Sequence, residues 1–222
     1  MISYKPGIEY AIEQDLTDPL AHYRTKFHIP KNPNGEEWLY FTGNSLGLQP
    51  KETKKYIQQE LDDWAKLGVE GHFEAKNPWM PYHEFLTETM ATIVGAKPIE
   101  VVIMNTLTTN LHLLMVSFYQ PNECKYKILI ESDAFPSDRY AVETQLRFHG
   151  HDPAESLIEW SPRKGETLLN IEDLESILQT HGHEIALLLI GGVNYYTGQY
   201  LDLKKICELG HKKGCKVGID LA

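Results

Sequence analysis

Lys216-Val217-Gly218-Ile219-Asp220 decides how the rest of the chain is read. A short apolar run ends in a carboxylate. This is the pattern of a β-strand that delivers an acid to the carboxyl edge of a sheet, where open α/β folds bind ligands. Upstream, Ile185 to Ile190 is wholly apolar, as a strand covered on both faces should be. Tyr126 to Glu131, Ser156 to Trp160 and Val101 to Met104 read as further strands. Between them lie helical stretches: Leu111 to Phe118, Ser137 to Phe148, Ile171 to Gln179 capped by Asn170, and a run opened by Asp202 that contains Leu203, Ile206 and Cys207. Strands alternating with helices predict an α/β fold, a mostly parallel sheet with helices on both faces. The last strand has no helix after it, so the sheet is expected to be incomplete in this chain.

A helical segment precedes the sheet. Residues 1–35 read as a helical arm and a loop broken at Asp18-Pro19, Ile29-Pro30 and Asn32-Pro33-Asn34-Gly35. Trp38-Leu39-Tyr40-Phe41 is a short strand or extended piece, followed by the glycine-punctuated Thr42 to Gly47 loop. Pro50 opens a helix through Leu67, with Ile57, Leu61 and Trp64 as its buried stripe and Gly68 as its cap. Residues 69–79 are loop. A second helix runs from Tyr82 to Val94 and Gly95 ends it.

The bulk numbers set limits. The 222 residues carry 21 Lys+Arg against 31 Asp+Glu, a net charge of −10. That disfavours non-specific binding to nucleic acid or to anionic membranes, which want basic surfaces. Three cysteines fit a reducing compartment better than a disulfide framework. The start, Met1-Ile2-Ser3-Tyr4-Lys5-Pro6, lacks a signal-peptide core, and no apolar run approaches a membrane span. A cytoplasmic location is the expectation.

Four loops follow strand ends on the same edge of the sheet. Asn105-Thr106-Leu107-Thr108-Thr109-Asn110 is either a helix start rich in capping residues or an anion cradle. Asp133-Ala134-Phe135-Pro136-Ser137-Asp138 is either turn chemistry or an aromatic and an acid for a ring ligand. Gly191-Gly192 is either a tight turn or a gap that lets a ligand reach the backbone. Asp220 is the fourth. One edge carrying all four is how α/β ligand sites are assembled. No Gly-x-Gly-x-x-Gly fingerprint, phosphate-binding Gly-Lys-Ser/Thr loop or Gly-x-Ser-x-Gly elbow occurs. His149-Gly150-His151 and His181-Gly182-His183 read as polar surface turns rather than metal ligands, and Cys207 and Cys215 as packing residues.

The stretches Phe41 to Pro50, Asn105 to His112, Phe135 to Asp138, Tyr196 to Gln199 and Val217 to Ala222, in this order, strongly resemble kynureninase. That family consists of fold-type-I pyridoxal-phosphate enzymes. The resemblance runs from about residue 10 to the last residue. It implies an N-terminal arm and helix over 1–70, and over 71–222 the first part of a large cofactor domain. By the same resemblance Leu107 and Thr108 would hold the cofactor phosphate. Phe135 would stack on the pyridine ring, within a contact stretch that includes Pro136 and Ser137. Asp138 would be a second acid, Asp220 would pair with the ring nitrogen and Gly191 would border the cofactor. Ser45 and His72 would face the substrate.

The resemblance also implies the reaction, hydrolysis of kynurenine or 3-hydroxykynurenine to an anthranilate and alanine, in tryptophan catabolism and pyridine-nucleotide (NAD) biosynthesis. It implies a homodimer. The family's cofactor-bearing lysine is expected after Ala222, so residues 1–222 alone are expected to be inactive. Two other readings are another fold-type-I enzyme, such as a cysteine desulfurase or class V aminotransferase, and a non-catalytic remnant.

Overall fold

The structure is a computed structural model that describes residues 4–222. The chain forms two compact units, Met1–Ile103 and Met104–Ala222.

The first unit is helical. It holds α1 (Ile8–Thr17), a 3-10 turn at Ala21–Lys26, α2 (Thr53–Leu67), the one-turn α3 (Gly71–Glu74) and α4 (Thr87–Val94). Gly68, with φ 55°, closes α2 by donating its N–H to the Trp64 carbonyl, and Gly95 ends α4 in the left-handed region. Three expectations are corrected here. Of the two readings of Trp38 to Phe41, strand or extended piece, the strand is not formed, and Leu39 and Phe41 are exposed. The Tyr82–Val94 helix is interrupted: a 3-10 turn covers Tyr82–Glu84, and α4 begins only after Leu86, whose ψ of 0° lies outside helical geometry. The α2 stripe is periodic but not buried, with Ile57, Leu61 and Trp64 all exposed. Periodicity marks the apolar face; it does not supply the surface that covers it.

The second unit is the α/β part. It runs α5 (Leu107–Phe118), β1 (Lys127–Glu131), α6 (Pro136–Phe148), the short α7 (Pro153–Ser156), β2 (Leu157–Trp160), α8 (Ile171–His181), β3 (Ile185–Gly191), α9 (Leu203–Lys212) and β4 (Lys216–Asp220). All pairings are parallel, in the order β2-β1-β3-β4. The apolar Ile185–Ile190 run is therefore interior, as its composition predicts. Two cores lie on opposite faces of the sheet. Leu129, Leu188 and Ile190 pack with Leu174 and Leu178 of α8 and Ile206 of α9. Ile128, Ile130, Leu187 and Leu189 pack with Met115 of α5 and with Val142 and Leu146 of α6. Alternate residues of one strand thus serve opposite layers, the period-two rule of strands. β4 ends the sheet, and Val217, Gly218, Ile219 and Asp220 are only half-buried.

Val101 to Met104 is extended at Val101 but pairs with no strand among the described residues, against the sequence expectation. A β-prone run becomes a strand only with a partner, and pairing is not local information. The next helix begins at Leu107 instead of Leu111, so the Thr/Asn-rich stretch is its first turn. Asp202 caps α9 as expected, accepting the Lys205 N–H at 3.0 Å. Asn170 precedes α8 but does not cap it. Its side chain instead donates to Glu166, and its carbonyl takes the Trp160 indole N–H.

Candidate functional site

The carboxyl ends of β1, β3 and β4 meet at one place. The β3–β4 register sets Gly191 opposite Asp220, and the ladder continues one step further through the Gly192 N–H, 2.7 Å from the Asp220 carbonyl. α6 begins beside them. Pro136 occupies its first turn, where a missing N–H costs nothing. Phe135 stands at the cap, with its carbonyl accepting the Asp138 N–H at 2.9 Å. That turn places the Asp138 side chain, which is 8% exposed, against Asp220.

Asp220 acts on the Asp138 carboxyl through a side-chain hydrogen bond and through its charge, and a hydrogen bond between two carboxyls needs a proton on one of them. Asp138 is pushed up from 3.8 to about 7. Burial contributes most, followed by the hydrogen bond and charge of Asp220, with Glu131 adding to both; a hydrogen bond from the Ser137 hydroxyl opposes them. The partner that such a crowd of acids favours is a cation or a proton donor.

Glu131, at the end of β1, belongs to the same cluster and is 4% exposed. Both its oxygens accept the Gly191 N–H, at 3.1 and 3.3 Å. Burial pushes its carboxyl above the usual range; backbone N–H donors, that of Gly191 among them, pull it down, and the Asp220 charge adds to the rise. Sequence reasoning missed this residue. The signal was present, because Ile-Leu-Ile-Glu ends in an acid just as Val-Gly-Ile-Asp does.

An aromatic wall stands beside the acids. The half-exposed Phe135 ring meets Tyr195 edge to face, with centroids 5.1 Å apart and planes at 82°. Tyr195, also missed, is held by its loop. The buried Asn194 side chain accepts from the N–H of Tyr196, the N–H of Thr197 and the Thr197 hydroxyl, and Gln199 is bonded both ways to the Leu169 backbone.

The first turn of α5 supplies a third component. Thr106 sits at its cap position with extended geometry, yet no side chain caps the helix. The N–H groups of that turn point out of the helix end and can take an anion. Leu107 shares a groove of about 390 Å³ with Asn110, Leu111, Gly218, Ile219 and Asp220, so this helix end and the terminal acid line one cavity. The structure thus brings Asp138, Gly191 and Asp220 together, with Phe135, Pro136 and Ser137 on the turn that leads into Asp138 and Leu107 on the groove that Asp220 also lines; Thr108 follows Leu107 in the first turn of α5.

Ser45 and His72 belong to the first unit. Ser45 lies in a turn, donating its N–H to the Thr42 carbonyl. His72 is in α3, its ring 5.5 Å from that of Trp79 and at 86° to it. Trp79 in turn donates to Glu60 of α2 and covers Gly71 so closely that a Cβ there would lie 2.5 Å from its ring. The paired histidine turns have packing roles: His149 meets Tyr119 edge to face, His151 stacks on Tyr126 and His181 bonds Glu184.

No family model matches the chain. Solved structures with low sequence identity share the architecture. The Escherichia coli cysteine desulfurase superposes with a TM-score of 0.65 at 15% identity, over 92% of this chain and 49% of that one. The cysteine desulfurase of Thermococcus onnurineus NA1 gives 0.59 at 15%, over 100% and 49%. A C-DES mutant with glycine covalently linked to its PLP cofactor gives 0.61 at 16%, over 88% and 47%. The fold is that of the fold-type-I pyridoxal-phosphate enzymes.

Sequence narrows this further. The chain is 54% identical to the kynureninase of Myxococcus xanthus over 219 residues, 99% of this chain and 51% of that protein. It is 54% identical to the kynureninase of Koribacter versatilis, over 96% and 50%. Against the kynureninase of Monosiga brevicollis it is 48% identical, over 94% and 50%. The chain belongs to the kynureninase family and spans about half the length of the curated relatives it matches.

Proposed function

We propose that the protein carrying this chain binds pyridoxal phosphate at the edge formed by β1, β3 and β4 and hydrolyses kynurenine, or 3-hydroxykynurenine, to an anthranilate and alanine. The observation that carries the cofactor half is the Asp138–Asp220 pair at the strand ends: two neighbouring carboxyls, the buried one pushed up to about 7, beside an aromatic face and with a helix end without a side-chain cap on the same groove as Asp220. A ring nitrogen that must stay protonated fits the acids, a planar heteroaromatic fits Phe135, and a phosphate fits the first turn of α5.

When bound, the cofactor supplies an electron sink for charge developing on the substrate's carbons. The chain's own residues do the rest. The backbone N–H groups at Leu107 and Thr108, with the Thr108 hydroxyl, hold the phosphate through the positive end of the helix. Phe135 covers one ring face, and Pro136 and Ser137 start α6 so that Asp138 points at Asp220. Asp220 keeps the proton on the ring nitrogen, because a buried carboxylate favours the charged form of its partner. Asp138, holding a proton of its own, lets the pair carry one net charge instead of two. Gly191, without a side chain, leaves room at the ring edge, and Ser45 and His72 act on the substrate side.

The remaining assignments go with this reading: a place in tryptophan catabolism and pyridine-nucleotide (NAD) biosynthesis, a cytoplasmic location and a homodimer. No helix among the described residues is long and apolar enough to cross a membrane. The exposed Ile57, Leu61 and Trp64 stripe supports a protein that buries α2 against further surface.

The test is run on the full-length protein with pyridoxal phosphate. Anthranilate fluorescence should appear on adding kynurenine, or its 3-hydroxy counterpart on adding 3-hydroxykynurenine, with one alanine per product. Cofactor uptake without either product would keep the cofactor site and remove the substrate assignment.

A further inference from the structure

Gly191 is where β3 leaves its neighbour. The β1–β3 register is formed as far as Ile130 opposite Leu189, and Gly191 lies beyond it. In a continuing parallel ladder a backbone carbonyl of β1 would accept its N–H. Here both oxygens of the Glu131 carboxylate do so. On the other side the Gly192 N–H is taken by the Asp220 carbonyl. Two successive glycine N–H groups are thus held from opposite directions, one by a side chain of β1 and one by the main chain of β4. A Cβ on Gly191 would sit 2.9 Å from Glu131 Oε1, so a side chain there would push the carboxylate aside.

We propose that Glu131 is a positioning residue of the cofactor site: its carboxylate latches the Gly191–Gly192 backbone in line with Asp220, and so fixes the acid that faces the ring nitrogen. This rests on the pyridoxal-phosphate reading above. Glu131 reaches the cofactor only through Gly191 and Asp220 and is not itself catalytic. A buried acceptor lost from a backbone N–H is costly because no water replaces it, and the strand end is then free to drift from the position that the cofactor requires. The charged groups packed against it are Asp138 and Asp220, both acidic, so the latch is kept despite repulsion rather than because of attraction.

The experiment uses full-length protein stripped of cofactor and titrated with pyridoxal phosphate, following the bound cofactor's absorbance. E131A should weaken binding by about tenfold or more, the scale of one buried hydrogen bond and its orphaned donor. E131Q, whose amide oxygen still accepts from Gly191, should stay within about threefold of wild type. G191A displaces the carboxylate and should weaken binding as E131A does. The double variant should be no worse than either single, because both remove the same contact.

E131A binding like wild type, or E131Q as weak as E131A, would overturn the latch; the second result would put the role in the charge. If E131A does not fold, G191A decides alone, and wild-type affinity in G191A overturns the proposal. A wild type that takes up no pyridoxal phosphate overturns the cofactor reading itself and this proposal with it. That result is distinct from any difference confined to the variants.

Discussion

Replacing Asp138 with Asn should change how stability depends on pH in the cofactor-free protein. The folded state holds this carboxyl at about 7 against 3.8 for the free side chain, mainly through burial and then through Asp220. A group whose folded value is raised contributes stability that is intact below about pH 4, erodes as pH rises and is gone past about pH 7. The full displacement corresponds to at most ~4 kcal/mol, at ~1.4 kcal/mol for each tenfold change. Water at the sheet edge screens the pair, and halving the ceiling leaves ~2 kcal/mol over the whole window. About two-thirds of that falls between about pH 5 and pH 8, or ~1.3 kcal/mol.

Asn cannot ionise and can donate its amide to Asp220, so D138N lacks this erosion. Thermal melts of the two proteins without cofactor should diverge by about 3–5 °C in favour of D138N as pH rises across that range. D220N should flatten the profile only in part, since burial, the larger cause of the Asp138 shift, remains. Parallel profiles for wild type and D138N, or a D138N that loses ground with rising pH, would refute the proton held by Asp138.

Three further substitutions test the frame around the site. Leu188→Ala empties a fully buried position between the sheet and α8 and α9, and should cost about 2–5 kcal/mol in urea unfolding without altering the Asp138 titration. Gly71→Ala gains helix propensity worth about 1 kcal/mol but drives a methyl into the Trp79 ring, at a cost of about 1–3 kcal/mol. The net effect should be destabilising, and indole fluorescence should shift; a more stable G71A would mean that the ring yields. Asp202→Ala removes the oxygen that accepts the Lys205 N–H and should lower stability by about 1 kcal/mol, read by circular dichroism on heating.

The α/β unit was legible because its signals are local. Lys216 to Asp220 and Ile185 to Ile190 are short, apolar and bounded, and they appear as strands at those positions. Val101 to Met104 has the same composition and forms no strand, because pairing depends on what lies alongside. The α2 stripe fails for a related reason: periodicity names a face, and Ile57, Leu61 and Trp64 remain exposed. Asn170 looked like a cap, but Glu166 claims its side chain four residues upstream.

The site divides along the same line. Phe135, Asp138, Gly191 and Asp220 were readable as candidates because each ends or follows a strand, and parallel strands send all such ends to one edge. Tyr195 was not, because its contact with Phe135 joins loops sixty residues apart in sequence. Glu131 is the more instructive miss. It looks like the last residue of a strand, and only the end of the β1–β3 ladder turns its side chain into a substitute for main chain. Three strand-end or first-turn acids, Glu131, Asp138 and Asp220, then crowd at one edge of the sheet. Natural sequences rarely keep buried like charges together unless something bound there offsets the repulsion. The crowding is therefore itself an argument for a cation at this edge, independent of the family relationship, and the protonated ring of a pyridoxal phosphate is a cation of the right shape to stand against Phe135.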